Sequence, residues 1–213
     1  AVPDAARAVA FSPAGNAIAV VNETTSPFIT AYRWSTSGFG TRYTNPATLP
    51  TGDGYGVAFT PAADAIAVAH LVTPFVTAYP WSVSGFGTKY TNPSTAIASS
   101  CTGVAFSPAG DAIAIASAGT PFIITYPWNS STGFGTKYTN PATLPASQAN
   151  GVAFSAAGDA IAVAHISSPF VTAYPWNVST GFGTKYANPA TLPAGNGYGV
   201  AFSPAGNAIA VAI

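Results

Sequence analysis

GVAFSPAGNAIAVA, residues 199–212, is the stretch that decides the fold, because it recurs five times along the chain. The other copies read AVAFSPAGNAIAVV from Ala8, GVAFTPAADAIAVA from Gly56, GVAFSPAGDAIAIA from Gly103 and GVAFSAAGDAIAVA from Gly151. A second stretch of the form SPFVTAYPWN…GFGTKYTNPATLP lies between the copies and occurs four times. Such near-identical copies predict a chain built from one repeated structural unit.

The period of the repeat follows from its tryptophans, which stand 47, 47 and 48 residues apart at Trp34, Trp81, Trp128 and Trp176. A period in this range is typical of arrays, solenoids and propellers. The segments between turns are short, rich in β-branched and aromatic residues, and interrupted by Gly and Pro. This composition favours strands over helices.

The copy that begins at Gly56 predicts four strands. They are strand A at 56–60, strand B at 65–70, strand C at 75–79 and strand D at roughly 86–91. Residues 61–64 form the A–B turn, and Pro80 is expected to end strand C because Pro cannot donate to a central ladder. Both faces of strand B are apolar, so we expect both to be covered.

Four short antiparallel strands in each repeat predict an all-β chain, namely a β-propeller built from four-stranded antiparallel blades. A β-solenoid is the alternative, and its coils are usually shorter. The whole chain, 1–213, is expected to form one domain. It has a connector at 1–7, repeats starting near 8, 56, 103 and 151, and a half repeat at 199–213, or about four and a half repeats in total.

The half repeat leaves three explanations open. The chain is a piece of a longer array, or a neighbouring subunit completes the half blade, or its last strand pairs with an N-terminal segment. An open strand edge is a template for pairing. We therefore expect the terminal edge to contact another chain or the N-terminal segment; its residues are Ala208, Ile209, Ala210, Val211, Ala212 and Ile213. The sequence has no Met, which favours a removed leader or a longer parent protein.

Charge is scarce in this chain. Only 6% of residues are charged, and six basic residues balance six acidic ones. This composition argues against a nucleic-acid-binding surface, and the weak electrostatic repulsion favours self-association. No apolar stretch approaches the ~18 residues of a membrane span, so we expect no membrane insertion. Cys101 is the only cysteine, so no internal disulfide can form.

At FSPAGNAIAV followed by PFVTAYPW, the unit resembles the WD40-like β-propeller repeat along essentially the whole chain. It departs from that family in lacking a Gly-His pair at the start of the unit and in having Ser or Asn after Trp. The fuller unit is similar to a divergent group of near-identical repeats of about 47 residues, known from predicted proteins of bacteria and marine tailed bacteriophages. The resemblance implies binding or scaffolding rather than catalysis.

Repeated aromatic residues are the best candidates for ligand contact. They are the four tryptophans and the phenylalanine of each GFGT turn: Trp34, Trp81, Trp128, Trp176, Phe39, Phe86, Phe134 and Phe182. Such rings could form one shallow sugar-stacking pocket per blade, but packing between blades is the more common use of repeated aromatic residues. The repeated cation at Arg42, Lys89, Lys137 and Lys185 is expected to guard an outer edge strand, with an acidic partner as the alternative.

The remaining polar candidates predict no reaction. His70 and His165 occupy equivalent positions that hold Asn22 and Ser117 in sister repeats, whereas a metal site needs several convergent ligands. Asp64, Asp111 and Asp159 alternate with Asn16 and Asn207 in the A–B turn, which suits turn capping and not acid–base chemistry. We therefore expect no catalytic residue, no metal and no cofactor.

These observations predict a non-catalytic structural or interaction protein. We expect it to be a subunit of an extracellular assembly, an appendage or a virion, with itself or other structural proteins as its partners. The alternative is a lectin-like propeller that binds cell-surface glycans.

Overall fold

The computed structural model describes residues 5–213, and the first four residues of the predicted connector lie outside the described part. Five consecutive units follow one another along the chain, and every element in them is a β-strand. Units 1 to 4 each form a four-stranded antiparallel sheet in the chain order A-B-C-D, and unit 5 is an A–B hairpin. The expectation of an all-β chain with four-stranded antiparallel sheets is confirmed.

Each strand type recurs at the same place in the repeat. Strand A is β1 (Ala6–Phe11), β5 (Gly54–Phe59), β9 (Cys101–Phe106), β13 (Ala149–Phe154) and β17 (Gly199–Phe202). Strand B is β2 (Ala17–Asn22), β6 (Ala65–His70), β10 (Ala112–Ser117), β14 (Ala160–His165) and β18 (Ile209–Ala212). Strand C is β3 (Ile29–Ser35), β7 (Val76–Ser82), β11 (Ile123–Asn129) and β15 (Val171–Asn177). Strand D is β4 (Gly38–Arg42), β8 (Gly85–Phe86), β12 (Gly133–Phe134) and β16 (Gly181–Phe182).

The A–B turn is held by the hydroxyl group that ends each strand A. In unit 2 the Thr60 hydroxyl donates to the Asp64 carboxylate at 2.6 Å and accepts the backbone N–H of Ala65 at 3.0 Å. In unit 5 Ser203 makes the same contacts with Asn207 and Ala208, at 2.9 and 3.1 Å. Since Asn serves as well as Asp, this turn needs a side-chain acceptor and not a charge, as the sequence predicts.

Strand C runs through its proline, contrary to the prediction that Pro80 ends it. Pro80 lies opposite Ala65 in the B–C ladder, and β7 continues through Trp81 to Ser82. The Pro80 carbonyl accepts the N–H of Gly87 at 2.8 Å, so the backbone of Pro80 faces strand D and not strand B. The absent N–H therefore costs the B–C ladder nothing.

Strand D is shorter than predicted. In units 2 to 4 it has two residues, and Lys89 in unit 2 lies beyond it. Unit 1 has Arg33 where the other units have Pro, and its β4 has five residues. The proline thus explains the short strand D, because it removes a donor from the C–D side of the sheet.

The cores lie between successive sheets rather than within one sheet. The alanine face of β6, with Ala65, Ala67 and Ala69, packs against Ile113 and Ile115 of β10 in the next unit. The same pairing of a smooth alanine face with a branched face joins units 1 and 2, and units 3 and 4. Small residues on one side of strand B allow this close approach, and as predicted both faces of β6, β10 and β14 are buried.

Successive A strands also contact one another, through a column of glycines. A Cβ atom placed on Gly56 would lie 2.9 Å from the Gly103 Cα, and one on Gly151 would lie 3.1 Å from the Gly199 Cα. Neither glycine has a positive φ, so the close approach of backbones is what requires the absence of a side chain. This glycine column, Gly56, Gly103, Gly151 and Gly199, fixes the spacing between units.

Candidate interaction surface

Three of the four tryptophans are packing residues. Trp81, Trp128 and Trp176 are buried, and each meets three rings edge-to-face. For Trp81 these are Phe59 of strand A at 5.1 Å, Phe86 of strand D at 5.0 Å and Tyr43 of the preceding unit at 4.9 Å between ring centroids. The structure therefore brings Phe86, Phe134 and Phe182, each half-buried, to these tryptophans in clusters between units.

Unit 1 presents the same cluster to solvent. Trp34 lies 5.2 Å from Phe11 and 5.0 Å from Phe39, and it is only half-buried. Phe39 and Phe11 are 61% and 51% exposed, and Val9 beside them is 57% exposed. In units 2 to 4 a tyrosine of the preceding unit covers this face. Unit 1 thus ends the stack with an exposed aromatic surface, which we call the unit 1 face (Val9, Phe11, Trp34 and Phe39).

Unit 5 leaves the opposite end open. Its β18 pairs with β17, and three of its four residues are exposed. The identical segment IAVA in β14 is completely buried, because β13 and β15 flank it and the neighbouring units cover its faces. The predicted assembly edge, 208–213, is accordingly accessible: Ile209 and Ile213 are 40% and 62% exposed. Contact of this edge with another chain stays a prediction.

The two histidines are buried structural residues. The Nε2 atom of His70 lies 2.8 Å from the Thr77 hydroxyl, and His165 repeats this contact with Thr172. Burial lowers the pKa of His70 to about 4 and lowers that of His165 in the same direction, so both rings are neutral at pH 7. Within residues 5–213 no group of three His, Cys, Asp or Glu side chains converges on a metal site.

Cys101 is an inert position in the folded chain. Its side chain is fully buried at the start of β9, and burial raises the pKa of its thiol. A thiol becomes nucleophilic as the thiolate, which this environment disfavours.

The repeated cations bind within their own loops. Arg42, Lys137 and Lys185 donate to the side-chain oxygens of Asn45, Asn140 and Asn188, three residues on, at 2.7, 2.6 and 2.5 Å. Lys89 makes the equivalent contact with Asn92. In units 2 to 4 the lysine lies past strand D, so it orders the loop after the strand.

A charged cluster that the repeat pattern does not predict joins units 1 and 2. Arg7 pairs with the Glu23 carboxylate at 2.5 Å and lies over the Tyr55 ring, whose hydroxyl donates to Glu23 at 3.2 Å. Arg7 and Tyr55 occupy the bulged position of their A strands, which Thr102 and Asn150 fill in units 3 and 4. This position varies between otherwise similar repeats, and that variation is the signal that could have identified it.

No helix within residues 5–213 is long and apolar enough to cross a bilayer. No protein-family model matches the chain, and no curated protein matches it. Among the described residues, exposed apolar side chains lie on the unit 1 face and at the edge of β18.

Proposed function

We propose that the protein is a non-catalytic structural module that assembles with other protein chains through the terminal units of its stack. The single observation that carries this proposal is the contrast between β18 and β14. The same residues, Ile-Ala-Val-Ala, are buried in the interior unit and accessible in the terminal one. Accessible apolar strand edges pair with other strands unless charge, proline or a covering segment prevents it.

The arrangement of the units supports a β-propeller layout related to the WD40-like repeat. Four-stranded antiparallel sheets pack face to face through a repeated aromatic cluster, and their A strands adjoin in chain order. A low charge content, six basic and six acidic residues, provides little repulsion between copies. Near-identical repeats and low charge suit a subunit of an extracellular assembly, an appendage or a virion.

The native mass of the protein tests assembly directly. Mass photometry or analytical ultracentrifugation over a concentration series should show particles heavier than one chain. Lysine at Val211 should return the population to single chains, because a charge on an edge strand disfavours pairing. Lysine at the exposed Thr36 is the matched control and should leave the mass unchanged. A wild-type protein that is a single chain at every concentration contradicts assembly between copies of this chain.

Glycan binding is the second candidate, and the exposed unit 1 face is the observation that favours it. Trp34 and Phe39 of this face belong to the predicted aromatic set, and Phe39 is exposed, whereas the tryptophans of units 2 to 4 are buried. One stacking site, rather than one per blade, is then expected. A glycan array should show binding that Phe39→Ala removes with the fold intact, and an array without any bound glycan contradicts this candidate.

A further inference from the structure

In units 2 to 4, strand C fits its tyrosine into a socket formed with the preceding unit. Tyr79, Tyr126 and Tyr174 are fully buried, and their hydroxyls donate to the backbone carbonyls of Thr48, Thr95 and Thr143 at 2.7, 2.8 and 2.7 Å. The residue at the matching position after unit 4 is Thr191. It lines a cavity of about 510 Å³ together with Val171, Ile209 and Val211. This cavity, the tyrosine socket, has the lining that its buried counterparts have.

A second cavity matches the tryptophan of strand C. In units 2 to 4 the backbone N–H of this tryptophan donates to the backbone carbonyl of the Asp in the A–B turn, at 2.7 Å. The tryptophan ring contacts the Phe ring of strand A and a Tyr ring of the preceding unit. The same three positions around unit 5 are Asn207, Phe202 and Tyr186. All three line a cavity of about 370 Å³, the tryptophan socket.

The edge of β18 supplies the third element of the site. In unit 4 strand B pairs with strand C, with Val163 opposite Thr172 and Ala160 opposite Pro175. Tyrosine and tryptophan stand two residues apart in strand C, so they project from the same face of one strand. A strand that pairs with β18 in this register therefore delivers both rings to the two sockets at once.

We propose that unit 5 binds one further C–D hairpin of this same repeat, beyond the four that the sheets of units 1 to 4 already hold. In units 2 to 4 this hairpin reads apolar-x-x-Tyr-Pro-Trp in strand C, followed by the Gly-Phe of strand D. Units 2 to 4 each contain a filled copy of this site, and these copies define the occupant. In unit 4, strand C pairs with strand B, its tyrosine hydroxyl donates to a backbone carbonyl, and its tryptophan ring packs against a tyrosine of the preceding unit. The inference rests on the proposed function and names the partner chemistry of its terminal edge.

A labelled peptide with the sequence of residues 168–186 tests the inference on the full chain. Fluorescence anisotropy should show saturable binding at one peptide per chain. Hydrogen exchange of the amides in 209–212 should become slower when the peptide is bound, since β18 then has a partner on both sides.

Variant peptides distinguish specific recognition from non-specific hydrophobic binding. Tyr174→Phe keeps the ring and removes the hydroxyl, so affinity should fall roughly three- to tenfold, the value of one hydrogen bond. Trp176→Ala and a scrambled peptide should not bind. On the protein, Val211→Lys should abolish peptide binding, whereas Phe39→Ala at the opposite end should leave it unchanged.

The outcomes distinguish this inference from the proposed function. Absence of saturable binding by a chain that still assembles overturns the inference alone and places the joint elsewhere. Peptide binding by a chain that stays single supports the inference and contradicts self-assembly. Protection of β18 in the free single chain, with no uptake of peptide, shows that the edge is already covered and overturns the inference.

Discussion

Gly56 shows how one missing side chain sets the distance between units. A Cβ atom there would meet the backbone of the next unit, at the Gly103 Cα and the Val104 nitrogen, 2.9 and 3.1 Å away. Backbone atoms of a paired strand cannot move aside as a flexible side chain can. The glycine is therefore required by its neighbour and not by its own dihedral angles.

Gly56→Ala should lower the free energy of unfolding by about 1–3 kcal/mol, the usual cost of overpacking a core. Gly199→Ala is the matched control, because its Cβ would meet only the Ala212 Cβ at 3.7 Å, which is ordinary contact. Urea denaturation of both variants measures the difference. Equal losses at the two positions would contradict the role given to the glycine column.

His70 should make stability depend on pH. Burial lowers its pKa to about 4 in the folded chain, against about 6.5 in the unfolded chain. Above pH 6.5 both states are neutral and the stability is intact. As the pH falls below 6.5 the unfolded chain takes up a proton that the folded chain refuses, so the free energy of unfolding drops until about pH 4.

Between pH 7 and 5 this loss should amount to about 2 kcal/mol from His70, measured by urea denaturation at each pH. His70→Asn, which introduces the residue found at Asn22 in unit 1, should flatten the dependence. The part due to His165 has the same direction and should remain in that variant. A wild-type protein equally stable at pH 5 and pH 7 would show that the histidines are not held neutral.

At the scale of the strand, the sequence predicts where a strand lies along the chain better than it predicts which neighbours cover that strand. The predicted bounds of strand B in unit 2, 65–70, agree with β6, since Gly, Pro and Asp punctuate the turns on either side. The prediction that strand C ends before Pro80 is wrong, since Pro80 pairs with Ala65. The register of a strand decides toward which neighbouring strand each backbone donor points. The sequence does not show that register. Neither could the sequence show which repeats are covered, because exposed β18 and buried β14 contain the same four residues.

That identity allows a sharp test of strand environment. Residues 161–164 and 209–212 both read IAVA after an alanine, so their intrinsic hydrogen-exchange rates are alike. The backbone amides of β14 should exchange more slowly than those of β18, because β14 is buried between two strands and β18 is exposed. Exchange resolved by mass spectrometry after proteolysis measures both segments in one sample. Similar protection of the two would mean that β18 is covered in solution.

At the scale of the whole molecule, stability is a sum over similar neighbours. The three cores join units 1 to 2, 2 to 3 and 3 to 4, and each uses the alanine face of one unit and the branched face of the next. Such a stack is described by the stability of each unit and of each interface, and its ends are the weakest members. The exposed apolar surfaces of this chain, the unit 1 face and the edge of β18, lie at those same ends, where the recurring contacts stop.

The glycine column also bears on how such a chain can change over generations. The three junctions from unit 2 to unit 5 each bring glycine against glycine, so a unit duplicated or deleted among them would meet its neighbours through contacts that already exist. Near-identical coding repeats are substrates for unequal recombination. The number of units can thus change over generations while the contacts between neighbouring units stay the same.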